Sequence, residues 1–243
     1  MNQKTYSGHL VLVIMVFVVL CGHAQSIRNY SITYEKKVNL ANLYKDWDIN
    51  DKENKFFKEE FLLTTNSQAS IYKKIAKPEG NNEDNYLSSY MTYSTTFIDL
   101  EKQVQVSEKE VGEKTFLMKD SLPKFQWYIY DETKEIAGYT CTKAMAKLQD
   151  SIMVVAFFTE DLEASNGPES VGGLPGTILG LVIPRLHTTW LAKSVEKMEA
   201  NPPKDITAPT SGIYIKTKDL EVIVRKSYSD HPKVNSIVWR VLL

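Results

Sequence analysis

The sequence predicts a mainly β chain: an antiparallel, strongly curved sheet or open barrel with little helix. Three observations carry this. Alternating or continuous apolar segments of strand length follow one another at roughly 8–12-residue spacing, with turn residues between them. Aromatic residues make up 11% of the chain and tyrosine alone numbers 13, an enrichment that suits half-buried strands. The intervals between segments are too short for the helical crossovers that parallel strands need.

The elements follow in chain order. Tyr30, Ile32 and Tyr34 alternate with Ser31, Thr33 and Glu35, the pattern of a strand with one buried face. Residues 58–65 and 69–75 read as two strands joined through Asn66-Ser67-Gln68. The polar stretch 78–85 carries three acidic residues and reads as a solvated hairpin tip. Strand signals recur at 90–98, 103–107, 115–118, 125–130, 139–148 and 152–159. Residues 177–183 are a continuous apolar run, which predicts cover on both faces. Residues 188–200 fit either a strand or an amphipathic helix, and Pro202-Pro203 ends the element in both cases. Residues 213–216, 221–225 and 236–242 read as closing strands.

The N-terminus predicts export. Lys4 precedes an uninterrupted apolar run at 10–21, too short to cross a bilayer and of the right length for a secretory signal. Gly22 and Ala24 put small residues at the −3 and −1 positions, so cleavage is expected after Ala24. Residues 1–24 then form a signal peptide and 25–243 a single β-rich domain, periplasmic or outer-membrane associated. Lipidation at Cys21 is the competing reading, although Leu20 is large for the residue before a lipidated cysteine. No later segment reaches 18 apolar residues, so no transmembrane helix is expected. The leader holds one charged side chain, so the net charge of the full chain, −1, changes by a single unit on its removal. A near-neutral surface gives no reason to expect nucleic acid as a partner.

The most informative stretch is a loop. Between Gly167 and Gly180 the chain places five of its 11 glycines and two of its 9 prolines. Leu174-Pro175-Gly176-Thr177 has the form of a type II turn, with proline presetting the second position and glycine supplying a positive φ at the third. Gly172 and Gly173 permit close backbone approach or a second positive φ. Turn chemistry alone accounts for the composition. The alternative is a binding loop that shows rigid backbone N–H groups to a ligand, and its candidate residues are Gly167, Pro168, Gly173, Leu174, Pro175 and Gly176. A phosphate cradle does not fit, because Pro175 lacks the needed N–H and no Lys-Ser/Thr follows.

The order of motifs around this loop resembles that of the GLPGLI family, exported proteins of unknown function typical of Bacteroidetes. Trp127 is followed by Ile136-Ala137-Gly138-Tyr139-Thr140-Cys141-Thr142-Lys143-Ala144, then by Phe157-Phe158-Thr159-Glu160-Asp161-Leu162, Gly167-Pro168 and the run from Gly173 to Ile178. The resemblance is dense from about 125 to 183. Thr177 departs from it, standing where the family usually has leucine. The resemblance implies an exported setting and brings no activity with it.

Catalytic chemistry finds little footing in the sequence. Beyond the leader only Cys141, His187 and His231 remain of the cysteines and histidines. Cys141 lies in an alternating segment and reads as a small buried hydrophobe. The two histidines stand apart, without paired metal-ligand spacing. No catalytic residue, metal or cofactor is therefore assigned; Glu160-Asp161 is the one carboxylate pair beside the loop. The first expectation is a non-enzymatic binding module for a hydrophobic ligand or an outer-membrane protein partner. The alternatives are an exported hydrolase using a carboxylate pair and a structural subunit of an envelope complex.

Overall fold

A computed structural model of the chain describes residues 28–43, 56–75, 94–148, 152–198 and 206–243. The expected signal peptide, with Cys21 and Ala24, and the polar tip at 78–85 lie outside the described residues.

The described residues form one twelve-stranded sheet, antiparallel apart from its last strand and not closed into a barrel. Six strands form a first meander: β1 (Asn29–Asn39), β2 (Phe56–Thr65), β3 (Ala69–Lys74), β4 (Ser94–Asp99), β5 (Val104–Val111) and β6 (Lys114–Ser121). Five form a second: β7 (Tyr128–Ile136), β8 (Tyr139–Leu148), β9 (Ile152–Thr159), β10 (Thr177–Ile183) and β11 (Thr188–Met198). The two meanders are joined in the middle, where β1 pairs antiparallel with β11. The short β12 (Ile213–Ile215) returns parallel to β6 at the far edge. The order is thus β12-β6-β5-β4-β3-β2-β1-β11-β10-β9-β8-β7.

The β7 end of the sheet curls on itself. β7 and β10 are three strands apart, about 14 Å in a flat sheet. Yet Ile136 Cδ1 would lie 2.9 Å from a Cβ placed on Gly180, so curvature brings the two strands together there.

Burial follows the alternation that the sequence predicts. Tyr30, Ile32 and Tyr34 are buried on what we call the inner face, with Ser31, Thr33 and Glu35 partly exposed between them. Phe61 and Leu63 of β2, Tyr72 of β3, Ala144 of β8, Ala156 and Phe158 of β9, and Trp190 of β11 complete a continuous core. Phe61 stacks on Tyr72 at 5.0 Å between ring centroids. β10 is buried along nearly its whole length, as a continuous apolar run requires.

Two segments cover the inner face. One is the loop of residues 160–176 between β9 and β10. The other is a helical pair, α2 (Thr217–Ser227) and α3 (Val234–Leu242), whose Leu220, Val224, Ile237, Val238 and Val241 pack on Phe116 and Met118 of β6. Ser170 of the loop donates a hydrogen bond to the Leu243 carbonyl and so ties the two covers together. A further short helix, α1 (Leu40–Leu43), follows β1.

The helical pair corrects the expectation of closing strands at 221–225 and 236–242. Leu220 and Val224, and likewise Ile237 and Val241, stand four apart and make a buried helical stripe. The many β-branched residues there imitate a strand, but packing on one face of the sheet favours the helix. Of the ambiguous segment 188–200, the described residues 188–198 form a strand, with Trp190 and Ala192 buried and Leu191 exposed between them.

Candidate functional site

The glycine- and proline-rich loop is built into the core. Gly167, Pro168, Leu174 and Gly176 are buried; Gly173 and Pro175 reach the surface. Its N–H groups bond within the fold: Gly173 to the Ser165 carbonyl, Gly176 to that of Leu174 and Ile178 to that of Asn166. Asn166 Nδ2 donates to Thr65 Oγ1 on β2 at 2.9 Å, and Thr177 Oγ1 donates to the Ala164 carbonyl at 2.7 Å. Trp127 Nε1 donates to the Gly172 carbonyl at 3.0 Å, fixing the loop to the strand region before β7.

The turn at Pro175 differs from the expected type II form. The Gly176 N–H bonds the Leu174 carbonyl two residues back at 2.8 Å, which makes a γ-turn centred on proline. Gly176 has no positive φ; its role is close approach, since a Cβ there would lie 2.1 Å from the Thr159 carbonyl oxygen. The positive φ belongs to Gly173, at 82°, and to Glu169, at 58°.

Glu169 is the functional-looking residue that sequence reasoning passed over. The loop turns its side chain down onto the inner face, where it is 3% exposed. Lys36 of β1 donates to Oε1 at 2.8 Å and Ser94 of β4 donates to Oε2 at 2.8 Å. Burial alone would raise the carboxyl's pKa. The nearby charges of Lys36 and Lys109, with the hydrogen bonds from Lys36 and Ser94, outweigh it and hold the pKa below its ordinary value. Lys36 also lies 5.2 Å from the ring centroids of both Phe61 and Trp190. Lys109, directly opposite Ser94 across the β4–β5 pair, is 1% exposed, and desolvation pulls its pKa down to about 8. A second pair, buried Glu59 with half-buried Lys74 at 2.5 Å, stands nearby on β2 and β3. Above Ser94 opens a cleft of about 280 Å³, lined also by Lys73, Lys74, Thr95, Glu108 and Glu110.

The largest open cleft, about 630 Å³ among those described, lies across the surface of β7–β9. Lys124, Gln126 and Tyr128 line it while the alternating Phe125 and Trp127 pack inward, stacked on each other at 5.3 Å. Tyr130, Met145, Lys147 and Met153 complete the wall. Tyr128 is 68% exposed and Tyr130 45%, a heavy exposure for aromatic rings.

The remaining candidates are dispersed. Glu160 and Asp161 are exposed in the turn after β9. The Cys141 thiol is buried, and burial first, with Glu135 and Asp161 adding, pushes its pKa up to about 11, away from a nucleophilic thiolate. His187 lines a different surface cleft, with Glu35, Lys37 and Leu191. His231 Nδ1 accepts a hydrogen bond from the Lys233 N–H at 3.0 Å. Among the described residues, no group of three or more His, Cys, Asp or Glu side chains is arranged to hold a metal ion. No helix among them is long and apolar enough to cross a membrane.

Comparison with known proteins fits this architecture. A search of curated proteins finds no match. Two solved structures of PNGF-II share the fold. In its P21 crystal form the TM-score is 0.55 at 17% identity, covering 82% of this chain and 34% of that one. In its C2 form the TM-score is 0.52, also at 17% identity, covering 87% and 33%. The present chain thus spans about a third of the length of the structures it matches. The family profile described as "N-glycanase peptide, N-terminal domain" matches residues 32–219, from the middle of β1 into α2. The match covers both meanders, the loop and its Glu169 anchor: the chain belongs to the N-glycanase peptide, N-terminal domain family.

Proposed function

We propose that this chain is an exported, non-catalytic binding domain of glycanase type, and that it holds an oligosaccharide in the cleft across β7–β9. The observation that carries the reading is the pairing of exposed Tyr128 and Tyr130 with amine and amide donors from Lys124, Gln126 and Lys147 around one open cleft. An aromatic face accepts the apolar face of a sugar ring, and surrounding donors take its hydroxyls. The rings are held in place from behind, because Phe125 and Trp127 anchor the same segment to the core and to Gly172. Family membership supports an N-linked glycan as the ligand class. The export motif at 1–24 and the GLPGLI-like motif order support the extracytoplasmic setting.

The test is calorimetric titration with N-linked oligosaccharides and glycopeptides. Binding by the natural chain, weakened about tenfold or more in Tyr128→Ala and Tyr130→Ala, is the expected result; a tenfold loss corresponds to about 1.4 kcal/mol. Both rings are exposed, so the variants should keep their fold. Equal binding by both variants and the natural chain, or no binding of any glycan, would overturn the reading.

A further inference from the structure

The inner face carries a set of buried donors that the described residues do not satisfy. Lys109 Nζ, the Tyr72 hydroxyl and Trp190 Nε1 are all buried without a hydrogen-bond partner among the described residues. Lys109 and Tyr72 both lie within the electrostatic reach of Glu169. Tyr72 and Lys109 sit on neighbouring rows of the same face, because Tyr72 pairs with Thr96, Thr96 with Ser107, and Ser94 with Lys109. Trp190 faces Tyr72 without closing a hydrogen bond to it. Closing that contact would satisfy the indole and still leave the Tyr72 proton and the lysine ammonium without an acceptor.

Glu169 is not that acceptor: its oxygens take the hydrogen bonds of Lys36 and Ser94, and neither Lys109 Nζ nor the Tyr72 hydroxyl comes within hydrogen-bond distance of them. Charge points the same way. Among the described residues, Lys36 and Lys109 share the single carboxylate of Glu169, while Lys74 pairs with Glu59. A buried ammonium with no hydrogen-bond acceptor is costly, and buried donors in native proteins are almost always met. A water molecule would accept hydrogen bonds but would leave the charge.

We propose that this cluster is a binding site for a small monovalent anion of halide type, held by Lys109 with the Tyr72 hydroxyl. The anion supplies both the missing acceptor and the missing negative charge, under the cover of the loop that carries Glu169. The site is separate from the outer cleft, so its fate does not depend on glycan binding.

Bromide and chloride are the probes. Crystals of the natural chain grown in sodium bromide should show an anomalous peak beside Lys109 Nζ. In solution, the thermal midpoint should rise by about a few degrees when gluconate is exchanged for chloride at constant ionic strength and pH 7. Lys109→Met should abolish the halide dependence, and Tyr72→Phe should demand a several-fold higher halide concentration for the same shift. No anomalous peak at Lys109, together with equal midpoints in chloride and gluconate, would overturn the proposal. Both of those measurements use the natural chain, so they decide the matter even where Lys109→Met fails to fold.

Discussion

Glu169 shows how one side chain can organise a face of the sheet. It stands in a left-handed backbone conformation that glutamate rarely adopts, and it is buried. Both costs are offset by two hydrogen bonds and two nearby ammonium groups. Glu169→Gln removes the charge but leaves Lys36 in place, so it should destabilise the fold by about 3–5 kcal/mol in denaturant titration. The pH dependence follows from the direction of the shift. The carboxyl's folded pKa lies below its ordinary value of 4.5, so its contribution is complete above that value and is lost as pH falls through the lower, folded one. Acid unfolding of the natural chain should therefore steepen below about 4.5 relative to Glu169→Gln. Lys109 acts at the other end. Its pKa drops from 10.5 to about 8 on folding, so the unfolded chain binds more protons between those values. In halide-free buffer the stability contributed by this residue should rise from pH 8 towards 10.5, a slope that Lys109→Met would remove. None of this was legible in the sequence. A glutamate between proline and serine reads as a solvated loop residue, and only the fold brings Lys36, Ser94 and Lys109 to it from three strands.

At the scale of elements, the loop was legible as a place of sharp bends but not in its detail. Glycine and proline density announced the bends and the buried strand after them, while the turn type depended on where Thr159 stood. Gly176→Ala would force a Cβ into the Thr159 carbonyl, a backbone atom with no freedom to give way. This should cost about 1–3 kcal/mol or more, read as a lowered unfolding midpoint. Leu174 is 2% exposed, so Leu174→Ala should cost about 2–5 kcal/mol and Leu174→Asp should prevent folding. A Leu174→Asp protein that folds normally would show instead that this residue serves the surface. The helical pair was the least legible part. Its buried residues are valine, isoleucine and leucine in segments of strand-like composition, and the signal that decides for helix is a spacing of four repeated only once in each.

For the whole molecule, alternation was enough to read the sheet. A period of two fixes which residues of each strand face the core, and short intervals between strands leave an antiparallel meander as the economical topology. What alternation does not convey is how two meanders join. The β1–β11 pairing links positions 150 to 169 residues apart and lies beyond any local pattern. The outer cleft was hidden for a related reason. Residues 124–130 alternate like any half-buried strand, and nothing local says that Lys124, Gln126 and Tyr128 face a wide cleft rather than a neighbouring strand. The placement has a functional consequence. The inner face is filled by side chains, by the loop and by the helices, so a large ligand would meet this domain on its outside, where Tyr128, Tyr130 and Met153 are exposed. The same surface would serve the hydrophobic partner that composition first suggested. Hydrogen-exchange mapping of the natural chain with and without an N-glycopeptide separates these roles most directly. The account predicts added protection at residues 124–130 and 145–153, with the loop at 166–177 unchanged. Protection centred on the loop, with the outer cleft indifferent to the glycopeptide, would contradict it.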